Sequence, residues 1–344
     1  MMLHYSGSVP SQFVYNNLYP INYFHSPLKN EIDLAGNFGE LRPNHFHSGW
    51  DIKTDNQIGY TVSASQMGFV SRIKLSKKGY GLAVYITHPN GFTTVYAHLS
   101  KLSDKLNYYL TNEQKKQNKT EIDFKLKVNQ LKVKCDEFIA ESGNSGSSEA
   151  PHLHFEIRDA FTEEAINPAF FGLKINDDIT PIIKKIGVYS YSKKSENQKL
   201  RAINISANKN EKISRKIIVT DSIISFAING FDKQKSKSKS ELGFTSIELF
   251  HRKKNISKIY FDRLIFAENK TINNMIDTFQ QTKQNLDWYK LFLPEQNIST
   301  FYKNKGNGII VLKKNEVEDF EIVVYDFKNN SSKLIFSVEY KTKN

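Results

Sequence analysis

Two short segments, His47-Ser-Gly-Trp-Asp51 and Pro151-His152-Leu153-His154-Phe155, constrain this chain more than any other feature. Hydrolytic zinc sites need two or three neutral imidazoles, often one carboxylate, and an open position for water. The chain has nine histidines, and His45, His47, His152 and His154 fall in or beside these segments. In a β-strand, residues i and i+2 face the same side, roughly 6.5–7 Å apart. His152 and His154 therefore look one way while Leu153 and Phe155 point into a core. One of the pair can bind a metal while the other handles a proton. His47 and Asp51, four residues apart around Ser-Gly, converge from a loop entering a strand. His47, Asp51 and His154 then supply three ligands and leave a fourth position for water. An isolated His-x-His or His-x-x-x-Asp arises often by chance. The two together, in matching surroundings, are much stronger.

Bulk properties narrow the class. With 344 residues the chain is long enough for two cored domains. Its 12% aromatics, mostly Phe and Tyr, favour β structure. The single cysteine, Cys135, excludes an intrachain disulfide framework and a multi-Cys zinc ribbon, so a metal must be held by His and carboxylate ligands. No window is apolar enough for a transmembrane helix, and Met1 to Pro20 has no recognisable signal peptide. The net charge of +12 is uneven. Residues 1–174 carry a balance of +1 and residues 175–344 one of +11. A basic domain favours anionic surfaces; the competing reading is drift toward Lys, Asn and Ile. The lysines are scattered, with no aromatic-basic motif, so no nucleic-acid partner is expected. Lys233-Gln-Lys-Ser-Lys-Ser-Lys239 is expected to be a solvated loop.

The pattern predicts a mainly β chain in three parts: an N-terminal tail (1–20), an antiparallel β-sheet domain (21–174), and a basic β-sandwich-like domain (175–344). Strand signals lie at Gly68 to Leu75, Leu82 to Thr87 and Phe92 to His98, the last two joined by a His88-Pro-Asn-Gly91 turn. That hairpin delivers His98 at its far end. A helical insertion with a mobile connection is expected over about 101–130, from the spacing of Leu102, Leu106, Tyr109 and Leu110. Strands return at Glu137 to Ala140 and His152 to Arg158, around the Gly/Ser loop Ser142 to Ser148. Asp177-Asp-Ile-Thr-Pro181 is expected to be a linker, followed by short β-branched runs spaced as in a sandwich. Residues 262–295 interrupt them.

Phe46-His-Ser-Gly-Trp-Asp-Ile52, Val95-Tyr-Ala-His-Leu-Ser100, and Ser142-Gly-Asn-Ser-Gly146 followed by Pro151-His-Leu-His-Phe-Glu156 resemble, in order and spacing, the three signatures of the LytM/lysostaphin-type zinc endopeptidases (peptidase family M23). The resemblance covers roughly residues 21–174. Gly39-Glu-Leu-Arg-Pro-Asn-His-Phe-His-Ser-Gly49 is similar to a Bacteroidetes-type branch with an extra β-rich C-terminal domain. The resemblance implies one zinc per chain, held by His47, Asp51 and His154. It implies catalytic roles for His98 and His152 beside the attacked carbonyl, and peptidoglycan peptides as substrate. It also implies a periplasmic or cell-envelope location, with the C-terminal domain docking on anionic envelope surface as a further expectation. The alternative function is a catalytically weak LytM-like scaffold that binds cell wall or activates an amidase.

Other residues carry weaker expectations. Arg42 and Asn44 either touch substrate or brace the loop. Tyr96 alternates with His98 and packs beneath the site. Glu156 either orients a ligand imidazole or, the favoured reading, makes an ordinary salt bridge. Lys134-Cys135-Asp136 stands where the family usually has a glycine turn, and a cysteine at positive φ costs about 1 kcal/mol or more. Glu149-Ala150 replaces small residues before Pro151 and puts a carboxylate near the cleft rim.

Overall fold

The structure, a computed structural model, describes residues 19–191, 199–207, 210–212, 216–236, 239–276, 288–293, 299–303 and 306–342. Most of the expected tail lies outside these residues. The chain is mainly β, built from antiparallel sheets with a few parallel edge pairings. It divides into two compact units. One comprises Met1–Ile32, Thr54–Leu153 and Pro168–Ile175; the other comprises Asp33–Lys53, His154–Asn167 and Asn176–Asn344.

In the first unit, Phe92–Leu99 pairs with Leu82–Thr87, which pairs with Gly68–Leu75, all antiparallel. Leu82–Thr87 has a nearly unbroken apolar run because it is buried on both faces. Ala83, Tyr85, Val95 and Ala97 form one cluster, while Val70, Ile73, Val84 and Ile86 are fully buried. The His88–Gly91 turn closes as expected, with the His88 N–H donating to the Phe92 carbonyl at 2.9 Å and Gly91 at φ 84°.

The helix spans Asp104–Gln117 and buries Leu106 and Leu110; Asn118 ends it in the left-handed conformation, φ 53°. The segment after it is not merely a connection. Ile122–Lys125 forms a strand against Gly68–Leu75. Four residues of alternation inside a Lys- and Asn-rich stretch were too short a signal. A second sheet joins Thr61–Ser63, Phe138–Glu141 and Lys101–Leu102.

In the second unit, Leu34–Gly36 pairs with Trp50–Lys53, bringing Gly36 opposite Asp51. Leu41–Arg42 and His45–Phe46 form a tight hairpin around Pro43 and Asn44. The β-rich remainder is two facing sheets. One is built on Ile182–Tyr191, Lys199–Ala207 and Ile223–Phe231; the other on Ser246–His251, Lys254–Tyr260, Val317–Tyr325 and Ser331–Tyr340. Phe226 of the first sheet meets Phe320 and Phe336 of the second at ring-centroid distances of 5.0 and 5.1 Å.

One strand carries no turn signal in the sequence, and one expectation changes. Lys254–Tyr260 is entered through a turn at Arg252 and Lys253, both at positive φ, without the Gly or Asn that marks such turns. The lysine-rich loop is only partly solvated: Gln234 is buried and its Oε1 accepts the Leu34 N–H at 3.0 Å. Among the described residues, no helix is long and apolar enough to cross a membrane.

Candidate metal centre and histidine pair

His47, Asp51 and His154 come together within the second unit, all three buried. His47 Nε2 lies 3.0 Å from Asp51 Oδ1 and 3.1 Å from His154 Nδ1, and His154 Nδ1 lies 2.9 Å from the same Asp51 oxygen. The other nitrogen of each ring sets its tautomer. His47 Nδ1–H donates to the Asn37 carbonyl at 2.7 Å, so Nε2 carries the lone pair. His154 Nε2–H donates to Glu156 Oε1 at 2.8 Å, so Nδ1 carries its lone pair.

Two imidazole lone pairs and a carboxylate oxygen thus face one another. With no proton between them, three acceptors at this spacing repel, and a cation resolves the conflict. The donor set, two imidazoles and one carboxylate, fits Zn²⁺. Burial pulls the His154 imidazole down, but hydrogen bonds and charge from Asp51 and Glu156 prevail and raise it to about 9, so in the metal-free site Nδ1 holds a proton against Asp51 that a bound cation displaces to free the lone pair. The site attracts positive charge.

Its surroundings are built for this. Glu156, fully buried, also accepts the Ser48 hydroxyl at 2.6 Å and pairs through Oε2 with Arg158 Nε at 2.5 Å. Burial opposes its ionisation, yet Arg158 and His154 hold its carboxyl far below the usual range. Glu156 therefore does both jobs that the sequence set against each other. Gly49 lets the 48–50 segment approach the strand His152–Asp159, since a Cβ there would sit 2.3 Å from the Phe155 carbonyl oxygen. Arg42 Nη2 reaches Glu40 Oε2 at 2.6 Å and Asp51 Oδ2 at 3.2 Å, which braces the second oxygen of Asp51. Asn44 is exposed at the hairpin tip, φ 64°, and the His45 ring there bonds its own turn at the Pro43 carbonyl.

His98 and His152 come together in the first unit, their ring centroids 4.8 Å apart. His98 Nδ1–H donates to the Ser145 carbonyl at 2.8 Å; His152 Nδ1–H donates to the Ala150 carbonyl at 2.8 Å. Both rings thereby hold Nε2 as the basic nitrogen. Simple alternation does not position His98. Tyr96 opposes Val84 and Leu99 opposes Leu82, a bulge that adds one residue, and His98 itself sits at φ 58°. A non-glycine residue there costs roughly 1 kcal/mol, a strain typical of functional positions. Tyr96 is instead committed to the interior, its Oη accepting the Ser65 N–H at 2.8 Å and bonded to Thr94 Oγ1 at 2.9 Å.

The Gly/Ser loop supplies the Ser145 carbonyl. Ser145 Oγ accepts the Leu82 N–H and donates to the Leu99 carbonyl, while Gly146 turns at φ 76° against the Gly79 carbonyl. The positive φ near Cys135 falls on Asp136, φ 60°, not on the cysteine, so the expected cysteine strain is absent. Glu149 is exposed.

The family model described as peptidase family M23 matches residues 45–115, a stretch that holds His47, Asp51 and His98. Over that stretch the chain is similar to the M23 peptidases. It is 33% identical over 127 residues to a DD-carboxypeptidase/endopeptidase Mpg of Neisseria meningitidis serogroup B, covering 37% of this chain and 23% of that protein. It is 32% identical over 130 residues to an uncharacterized metalloprotease of Haemophilus influenzae, covering 38% and 21%. The chain thus spans under a quarter of these relatives' length. The catalytic domain of lysostaphin from Staphylococcus simulans is 26% identical, covering 46% of this chain and 94% of that one, with a TM-score of 0.27. The M23 match ends before His152 and His154, whose placement rests on the geometry above.

Proposed function

We propose that this chain is a zinc-dependent endopeptidase that hydrolyses peptide cross-links or stem peptides of bacterial peptidoglycan. One observation carries the reading: two imidazoles with fixed tautomers and a carboxylate oxygen converge their lone pairs at His47, Asp51 and His154. These three residues hold the metal. Bound there, Zn²⁺ supplies Lewis acidity that polarises an amide carbonyl and acidifies water.

The remaining work falls to this chain's own groups. His98 and His152, each with a basic Nε2, accept a proton from the attacking water and return it to the leaving amine. The protonated ring also stabilises negative charge that develops on the carbonyl oxygen. Asn37 and Glu156 keep the two ligand rings in register. Arg42 keeps Asp51 in place, and Asn44, exposed beside it, is available to substrate. A periplasmic or envelope location follows from the proposed substrate. The +11 balance of residues 175–344 supports docking on anionic envelope surface.

Elemental analysis and product analysis on purified peptidoglycan test this together. The protein should hold about one zinc per chain and release muropeptide fragments. His154→Ala should lose the metal; His152→Ala should keep it and fail to cleave. A wild type that binds zinc but releases no fragments would leave the scaffold function instead.

A further inference from the structure

Three acidic residues of the second unit, remote in sequence from each other, meet at one end of the sandwich. Asp177 precedes the strand Ile182–Tyr191, Asp232 follows Ile223–Phe231, and Asp326 follows Val317–Tyr325. The sheet register explains the meeting. Ile182 lies opposite Phe231, so the start of one strand adjoins the end of the other. From the facing sheet, the Ser332 hydroxyl donates to the Pro181 carbonyl at 2.5 Å and brings the Asp326 turn alongside.

One oxygen from each aspartate lies within 4.8 Å of the others, and the side chains are buried, Asp232 completely so. Asp326 is rigidly presented. Its Oδ1 accepts the Lys328 and Asn330 N–H groups at 2.7 and 2.8 Å, and its Oδ2 accepts Asn330 Nδ2 at 2.7 Å. Asp177 Oδ1 accepts the Ile179 N–H at 3.1 Å. By contrast, neither oxygen of Asp232 and not Oδ2 of Asp177 has a hydrogen-bond partner.

No Lys, Arg or His among the described residues forms an ion pair with any of the three. Lys233, next to Asp232, sets its ammonium over the Phe231 ring at 5.2 Å, and Lys235 pairs with Asp178 at 2.8 Å. Up to three buried negative charges therefore stand together without an ion-pair partner among the described residues, only the exposed Lys328 lowering Asp177 through its charge, an arrangement that costs several kcal/mol per ion in general. Burial, and then the Asp326 and Asp177 carboxylates, push Asp232 up to about 9.

We propose that Asp177, Asp232 and Asp326 bind a Ca²⁺ ion that ties three strand ends of the sandwich together. The donors are all oxygen, which selects a hard cation over zinc. Oxygens no more than 4.8 Å apart fit inside a calcium sphere, which is about 4.6–5.2 Å across at Ca–O distances of 2.3–2.6 Å. The carboxylate without partners would gain two ligand contacts, and backbone carbonyls and water would complete the coordination.

The test uses the full chain with its zinc content measured throughout, so that the two sites are read separately. After EGTA treatment, calorimetric titration with CaCl₂ should give one Ca²⁺ per chain. At Ca²⁺ roughly a hundredfold above Kd, Tm should rise by about 5 °C or more. Asp232→Asn should abolish both effects while keeping zinc. Should that variant fail to fold, Asp177→Asn gives the same comparison. No uptake at millimolar Ca²⁺, or a Tm insensitive to it, would overturn the site in favour of a shared proton. Uptake of Mg²⁺ in place of Ca²⁺ would overturn the calcium assignment.

Discussion

Glu156 Oε1 lies 2.8 Å from His154 Nε2, on the same strand and fully buried. That single contact fixes which nitrogen of His154 faces His47 and Asp51. It makes Glu156 a positioning residue for the metal centre. Glu156→Gln keeps the shape and removes the charge. Zinc affinity should fall 10–100-fold, measured by competition with a zinc chelator. Ser48→Ala, which removes only the 2.6 Å bond to the same oxygen, should have a smaller effect. Unchanged affinity in Glu156→Gln would show that the ring needs no such partner.

Gly146 holds the loop that presents the Ser145 carbonyl to His98. At φ 76°, with a Cβ position 2.3 Å from the Gly79 carbonyl oxygen, it accepts no side chain without movement. Gly146→Ala should lower kcat ten- to a hundredfold through a misplaced His98, with zinc content unchanged. Parallel steady-state kinetics and metal analysis check it; full turnover would mean the loop yields without disturbing the ring.

His88 predicts acid sensitivity. Burial lowers its pKa to about 4; its Nδ1–H donates to the Met67 carbonyl and its Nε2 accepts from Thr94 Oγ1. The unfolded chain takes up this proton near pH 6.5, the folded chain only near 4. Protons bind the unfolded state more tightly, so the contribution is intact above pH 6.5 and is lost progressively down to about 4. At full effect it amounts to roughly 3 kcal/mol. Thermal melts across pH 7 to 4 should show a shallower decline in His88→Gln than in wild type. Parallel curves would rule out His88 as the titrating group.

Phe226, fully buried, bridges the two sheets of the second unit through Phe320 and Phe336. Phe226→Ala should cost about 3–5 kcal/mol, read from the midpoint of denaturant unfolding. A loss below about 1 kcal/mol would mean that the sheets do not depend on this contact.

The amino-acid pattern determined a great deal here. Local rules, period-two alternation and turn chemistry, located the main strands of the first unit to within about a residue, including Gly68–Leu75 and Leu82–Thr87. The two histidine motifs brought out His47, Asp51, His152 and His154, and the resemblance to the M23 signatures added His98. The tertiary structure alone decided which nitrogen of each imidazole bears the proton, because the acceptors are the Asn37, Ser145 and Ala150 carbonyls and the buried Glu156. It also decided that a bulge, not alternation, aims His98. The Asp177–Asp232–Asp326 cluster was invisible for the same reason. Its members have no common motif or spacing, and only the pairing of strands brings their ends together. Periodicity is a property of neighbouring residues along the chain; hydrogen-bond partners and buried charge are set by residues that meet only when it folds.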